Sequence, residues 1–377
     1  MTAAELLLLD SALAAAAEHV GTTLTREGGL LPAADRAVVI RARRSDTRQT
    51  VIVKAYNPRP AGEGWAREAA ALTALVGLGT SAPELIAVIA SPPVVVMEDL
   101  GTGDSLATAL LGADPEAAGQ AAVEWAESLA DLHAATWNNV TPFETALSTM
   151  AGTDPIDSNN VPNVLADGVE RLRRAANTVD VELSDQVGRE IVHLAEVLDD
   201  GVRVVSPFDA CPDNNVRTAA GLRLIDFEGA TVAHPAWDVA YLSVPWPSCW
   251  CAWRLPDAIT ARAQQAWVER LITRLAARGL TLDRPAMDVA IRLASLTWCV
   301  VTVGWFLPGA QADRHPGGQG ISSPRLRAVV QHRLAQVASS STPELNATRE
   351  LARRLSAALN RNWQPETLQL APAFRRG

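Results

Sequence analysis

Strand-type patterning occupies only about the first 100 residues of this chain and one later patch; the remainder reads as helix. Ala37 to Arg43 and Thr50 to Tyr56 are apolar, β-branched runs, and the polar link Arg44-Ser45-Asp46-Thr47-Arg48 suits a hairpin between them. Asn57-Pro58-Arg59-Pro60 ends the second run, since proline cannot donate to a strand ladder. A helix is expected over about Glu63 to Leu78, closed by Gly79. Pro92-Pro93 then precedes Val94-Val95-Val96-Met97, a short continuous apolar run that fits a buried strand. From Pro115 onward helical periodicity dominates, broken only by a β-type patch at 202–228. Strands and helices thus segregate, which predicts an α+β class with two lobes. The first lobe takes residues 1–97, including a leading Leu/Ala-rich helix over 3–19. Residues 98–103 form a linker, and 104–377 a larger helical lobe with a helical insertion at about 138–202.

Composition narrows the possible partners. The chain has 377 residues with 48% hydrophobic and 20% charged, a globular balance with room for two cores. Its net charge of −9 is relieved by no basic run, which argues against nucleic acid or an anionic membrane as partner. The longest uncharged run, Leu293 to Ala312, carries Ser295, Thr297, Thr302, Gly304 and Pro308, and reads as a buried core helix rather than a membrane span. Four cysteines, Cys211, Cys249, Cys251 and Cys299, form no disulfide framework or zinc motif, and a reduced, cytoplasmic setting is expected. Oligomeric state is not legible.

Lys54 is the single lysine among 33 basic residues. A G+C-rich genome can produce such a bias, but a compact ammonium on a flexible stem is not interchangeable with a planar guanidinium. On the following helix Trp65, Ala69, Leu72 and Val76 form an apolar stripe, and the spacing puts Glu68 on or beside its inward face. A buried carboxylate needs a cation, and a Lys54–Glu68 pair that reaches nucleotide phosphates meets that need. An exposed Glu68 satisfied by water or arginine is the alternative.

The patch holds the second cluster. Centring a hairpin on Ala219-Ala220-Gly221 pairs Thr218 with Leu222, Val216 with Leu224 and Asn214 with Asp226. An amide oxygen facing a carboxylate makes an oxygen site for Mg²⁺. Asp209, on the loop feeding the first strand, is a third carboxylate able to take a proton from an attacking hydroxyl. The same residues also suit a surface hairpin with turn-type Asp and Asn.

The order Lys54, Glu68, Met97-Glu98-Asp99-Leu100, Asp209, Asn214, Asp226 resembles the aminoglycoside phosphotransferase family of protein-kinase-like small-molecule kinases, over roughly residues 25–310. The resemblance implies a bilobal protein-kinase-like fold, ATP (or GTP) and Mg²⁺ as cofactors, and phosphoryl transfer to a small-molecule hydroxyl. Lys54 would contact the nucleotide phosphates and Glu68 would hold it. The segment Met97, Glu98 to Leu100 would receive adenine. Asp209 would act as base, Asn214 and Asp226 would hold the metal, and Asp238 would brace the catalytic loop. Pro207 and Phe208 depart from the family's usual histidine and small residue, and Glu27-Gly28-Gly29-Leu30-Leu31-Pro32 is a poor phosphate loop.

Spacing favours a small acceptor. Some 75 residues separate His133 from Asp209, whereas only eleven separate Asp226 from Asp238, leaving no room for a peptide-docking activation segment. Aminoglycosides, other antibiotics and amino alcohols all fit. Trp246, Trp250 and Trp253 follow helical spacing, as a shared core face or an aromatic cage. Asp154, Asp157, Asn159 and Asn160 are substrate ligands or solvated turn residues. A nucleotide-binding pseudokinase with a regulatory role is the alternative function, and a protein kinase a third.

Overall fold

The computed structural model describes residues 3–31, 36–57, 62–314 and 322–375. Its first lobe opens with helix α1 (Ala3–Val20) and continues through strands β1 (Leu24–Leu31), β2 (Ala37–Arg44) and β3 (Thr50–Tyr56). Helix α2 (Gly62–Leu75) and strands β4 (Leu85–Ile89) and β5 (Val94–Glu98) complete it. The strands form one antiparallel sheet in the order β1-β2-β3-β5-β4.

Period-two alternation gives this sheet two unlike faces. Val38, Ile40, Val51, Val53, Val94 and Val96 turn outward, where Leu9, Ala12 and Ala16 of α1 cover them. Each fully buried side chain of this size contributes roughly 1.5–3 kcal/mol. Tyr56, Val95 and Met97 join instead the core that includes α2, and Lys54 shares their parity on β3. Helix α2 stops at Leu75, short of the expected Leu78. Gly77 and Gly79 both adopt positive φ, and Val76 falls off the buried stripe to 62% exposure.

The second lobe comprises α3 (Leu106–Leu111), α4 (Pro115–Thr136), α5 (Thr141–Ala151), α6 (Val161–Asn177) and α7 (Asp185–Asp199), followed by short strands. These are β6 (Val204–Ser206), β7 (Asn215–Thr218), β8 (Gly221–Leu224) and β9 (Thr231–Ala233). Helices α8 (Ala236–Val239), α9 (Asp257–Ala276), α10 (Arg284–Gln311), α11 (Leu326–Ser339) and α12 (Asn346–Leu359) close the chain. Helix α4 packs along α9, and α10 lies among α6, α8 and α11. The apolar α10 is long enough to cross a membrane but is a mostly buried core helix here, as its threonines and proline led us to expect.

Two glycines set how the parts approach. A Cβ at Gly304 would lie 2.5 Å from the Leu172 nitrogen, so only glycine lets α10 meet α6 so closely. A Cβ at Gly103 would lie 1.8 Å from the Arg217 carbonyl oxygen, which fixes the link between lobes against β7.

Candidate active site

Lys54 stands where the two lobes meet. Its Nζ lies 2.9 Å from Glu68 Oε2, 2.6 Å from Asp226 Oδ1 and 3.9 Å from Glu228 Oε2. Burial alone would lower the Lys54 ammonium, yet Glu68, Asp226 and Glu228 together hold it above its usual range. Glu68 is 1% exposed and fully engaged: Oε1 accepts from the Phe227 amide at 3.1 Å, and Oε2 accepts from the Tyr56 hydroxyl. One carboxylate from α2 therefore ties β3 to the segment after β8. Sequence spacing pointed to the Lys54–Glu68 pair, but not to Tyr56 or Glu228.

The hairpin register differs from the expected one by a single step. Thr218 pairs with Gly221, Arg217 with Leu222 and Asn215 with Leu224, so the turn is Ala219-Ala220 and Gly221 opens β8 at φ +109°. The main chains of Asn214 and Ile225, not Asp226, then meet, Ile225 N–H donating to Asn214 O at 3.0 Å. Asp226 takes φ +65° just beyond the strand and bonds to Lys54.

The loop between β6 and β7 carries the other residues. Asn214 Nδ2 donates to the Asp209 carbonyl at 2.7 Å, which closes the loop into a tight ring. That bond uses the amide nitrogen and leaves Asn214 Oδ1 without a protein partner among the described residues. Asp226 likewise gives only one oxygen to Lys54. Two oxygen donors with capacity left over, one of them charged, match the preference of Mg²⁺ for hard ligands. Burial pushes the Asp209 carboxyl up to about 6; a bond from Ser248 opposes this, and Asp226, Asp213 and Glu228 add to it.

Asp238 sits beneath this loop, fully buried. Its Oδ1 accepts from Ser206 Oγ at 2.8 Å, and Ser206 Oγ accepts from the Phe208 amide at 2.9 Å. Its Oδ2 lies 2.9 Å from His133 Nε2. Trp267 Nε1 can only donate, and it reaches His133 Nδ1 at 3.1 Å, so Nε2 carries the proton toward Asp238. A histidine thus meets this aspartate from α4, while Pro207 occupies the loop position. Phe208 adopts φ +58°, the left-handed conformation in which glycine is least strained. Its ring is buried against Trp298 at 5.5 Å between centroids, which offsets that strain. Ser206 was not singled out from the sequence; a polar residue closing the buried run Val204-Val205-Ser206 was its only signal.

At the link, the Glu98 amide donates to the Glu84 carbonyl at 2.8 Å, while the Leu100 amide has no acceptor among the described residues. Met97 is buried. Arg41 clamps the Asp99 carboxylate, donating to Oδ1 at 2.9 Å and also to Oδ2. Gly28-Gly29 forms a bulge in β1 where the register slips between Glu27 and Leu30; Pro32 of that proposed phosphate loop lies outside the described residues.

Two expectations about the remaining side chains fail. Trp246, Trp250 and Trp253 share no helical face, because 243–255 is an irregular strap. Trp246 is buried edge-on against Trp125 at 5.4 Å, Trp253 is buried under Arg375, and Trp250 donates to Asp213 Oδ2 at 2.7 Å. Cys211 and Cys249, expected to be reduced, form a disulfide with Cα atoms 6.0 Å apart, across 38 residues of sequence. Asp157 and Asn159 serve the loop's own backbone, their Oδ1 atoms accepting from the Asn159 N–H at 2.9 Å and the Val161 N–H at 3.1 Å, while Asn160 Oδ1 accepts from Asn163 Nδ2 at 3.3 Å.

Residues 40–276 match the sequence model of the APH phosphotransferase enzyme family. No curated protein matches the chain in sequence. Among solved structures, the streptomycin–ATP–APH(2")-IIa ternary complex is 14% identical with a TM-score of 0.51, covering 83% of this chain and 93% of that one. Choline kinase from Cryptosporidium parvum Iowa II is 11% identical with a TM-score of 0.50, covering 90% of this chain and 93% of that one. At such identities the likeness is one of fold, bilobal and protein-kinase-like.

Proposed function

The chain belongs to the APH phosphotransferase enzyme family, and from that premise we propose that it transfers the γ-phosphoryl group of ATP (or GTP) to a hydroxyl of a small molecule. The observation that carries this reading is the buried ammonium of Lys54, held between Glu68 and Asp226 at the lobe boundary. A cation so placed exchanges one carboxylate for a nucleotide phosphate without leaving its anchor on Glu68. The main chain from Glu98 to Leu100 would take adenine against Met97, with the unpaired Leu100 amide as donor. Asn214 Oδ1 and Asp226 would hold Mg²⁺, which when bound neutralises phosphate charge.

Asp209 would accept the hydroxyl proton. A carboxyl pushed up to about 6 is ionised at neutral pH yet more basic than an ordinary aspartate, which suits a general base. Asp238, acting through Ser206, would fix the loop that presents it. Asp209 and Asp213 place negative charge on the acceptor side, which favours an acceptor that carries amines as well as hydroxyls. A cytoplasmic location fits this reading, since free nucleotide is supplied there; thiols of that compartment would then open the Cys211–Cys249 bond.

The test is nucleotide consumption with Mg²⁺ across aminoglycosides, macrolides, amino alcohols and sugars, with wild type and Asp209→Asn side by side. Acceptor-dependent consumption that disappears in the variant is expected. Consumption that survives in Asp209→Asn removes the base assignment. ATP binding with no turnover on any acceptor moves the reading to a pseudokinase.

A further inference from the structure

We propose that Ser248 is a positioning residue that fixes the carboxylate of Asp209 for proton abstraction. This rests on reading Asp209 as the base. Ser248 Oγ lies 2.8 Å from Asp209 Oδ1 and 2.9 Å from the Tyr241 hydroxyl, which is itself 3.2 Å from the Phe208 carbonyl.

Proton counting orders these contacts. The two hydroxyls hold two protons for three contacts. An ionised carboxylate is the strongest acceptor of the set, so the Ser248 proton goes to Asp209. The Tyr241 proton then goes to Ser248, and the longer approach to Phe208 is secondary. The result is a directed chain, Tyr241 to Ser248 to Asp209, in which each bond polarises the next. The Cys211 sulfur is 3.2 Å from the same carboxylate oxygen, but in a disulfide it has no proton to give. Ser248 is therefore the one side chain donating to the Asp209 carboxylate among the described residues while the Cys211–Cys249 bond is closed, and with that bond open the Cys211 thiol is the weaker donor of the two. Ser248 engages Oδ1 and leaves Oδ2 for the acceptor.

The strap holds Ser248 in register from both sides. Arg333, fully buried and facing no carboxylate among the described residues, donates to the Pro245 carbonyl at 3.1 Å. Trp246 is buried against Trp125. Cys249 is bonded covalently to Cys211, two residues beyond the base, and Trp250 donates to Asp213, four residues beyond it. Three consecutive strap residues thus engage alternate loop residues 209, 211 and 213. A serine at solvent would ordinarily sample several rotamers; here its backbone is pinned, the Tyr241 hydroxyl that donates to it is buried, and the Asp209 carboxylate is half-buried.

The test uses the full-length protein without ligands, carrying ¹³Cγ-labelled aspartate, at pH 8. Asp209 is assigned by the resonance missing in Asp209→Asn. The expected result is a resonance displaced in Ser248→Ala and returned to the wild-type position in Ser248→Thr, which keeps the hydroxyl. On an acceptor that wild type phosphorylates, kcat should fall roughly 10-fold in Ser248→Ala with the KM for ATP unchanged. A resonance that does not move in Ser248→Ala overturns the proposal, whatever the acceptor panel gives. A resonance that moves while Asp209→Asn still turns over overturns the base reading, and the proposal with it.

Discussion

The two sides of the cleft are built on different principles. On the proposed phosphate side, Lys54, Glu68 and Asp226 project from a strand, a helix and the end of a hairpin, and they interlock by charge. On the proposed acceptor side, residues 243–255 have almost no regular structure and are held by a disulfide, a tyrosine hydroxyl and a buried arginine. The first arrangement couples the lobes through a few strong bonds, so removing one charge strands the others. The second spreads its anchoring over many weaker contacts, so single changes should be felt locally. That contrast yields a ranked set of expectations.

The largest effect should come from the residue that belongs to both sides. Asp209→Asn should lower kcat by roughly 10²–10⁴-fold, read as initial rate on an acceptor that wild type phosphorylates. Next, Lys54→Met leaves Glu68 buried without its cation and should cost about 3–5 kcal/mol in urea unfolding. Adding Glu68→Gln to the same chain should recover most of that loss. Equal midpoints for the single and double variants would show that the pair is not coupled as its 2.9 Å contact requires.

Strand and helix patterning, the Lys54–Glu68 pair and the grouping of Asp209, Asn214 and Asp226 around one hairpin were legible because each follows from residue periodicity or side-chain chemistry. The hairpin register was not. A turn ending in glycine can close with two or three residues, and a one-step slip exchanges Asp226 for Ile225 opposite Asn214. The strap was less legible still. Trp246, Trp250 and Trp253 fall at helical intervals by coincidence, and nothing in spacing tells a helix from a chain of turns pinned from outside. Ser248, Cys249 and Trp250 acquire their partners only after α8 and α11 have set the path of the backbone. Phe208 was read as a departure; it takes a positive φ that glycine adopts most easily, and its ring packs against Trp298.

A third expectation concerns His234, which accepts from the Ala236 amide at the start of α8. Burial lowers His234 to about 4. Between the ordinary 6.5 and that value, the unfolded chain binds a proton that the folded chain refuses. Stability is therefore intact above the ordinary value and falls as the pH drops toward about 4, by about 3 kcal/mol from this group. His234→Gln should flatten that decline in unfolding curves taken across the range. A decline unchanged in the variant would assign it elsewhere. The smallest effect should be that of Cys249→Ser, about 2 kcal/mol in unfolding with nucleotide affinity unaltered. Lost nucleotide binding in that variant would mean that the two sides are not independent.

The central claim is that the Lys54–Asp226 junction receives a metal-bound nucleotide, and calorimetric titration with ATP tests it without knowing the acceptor. In wild type, Mg²⁺ should tighten ATP binding; in Asp226→Ala, affinity should no longer respond to Mg²⁺ while the fold stays intact. A Mg²⁺ dependence that persists undiminished in Asp226→Ala would contradict the account.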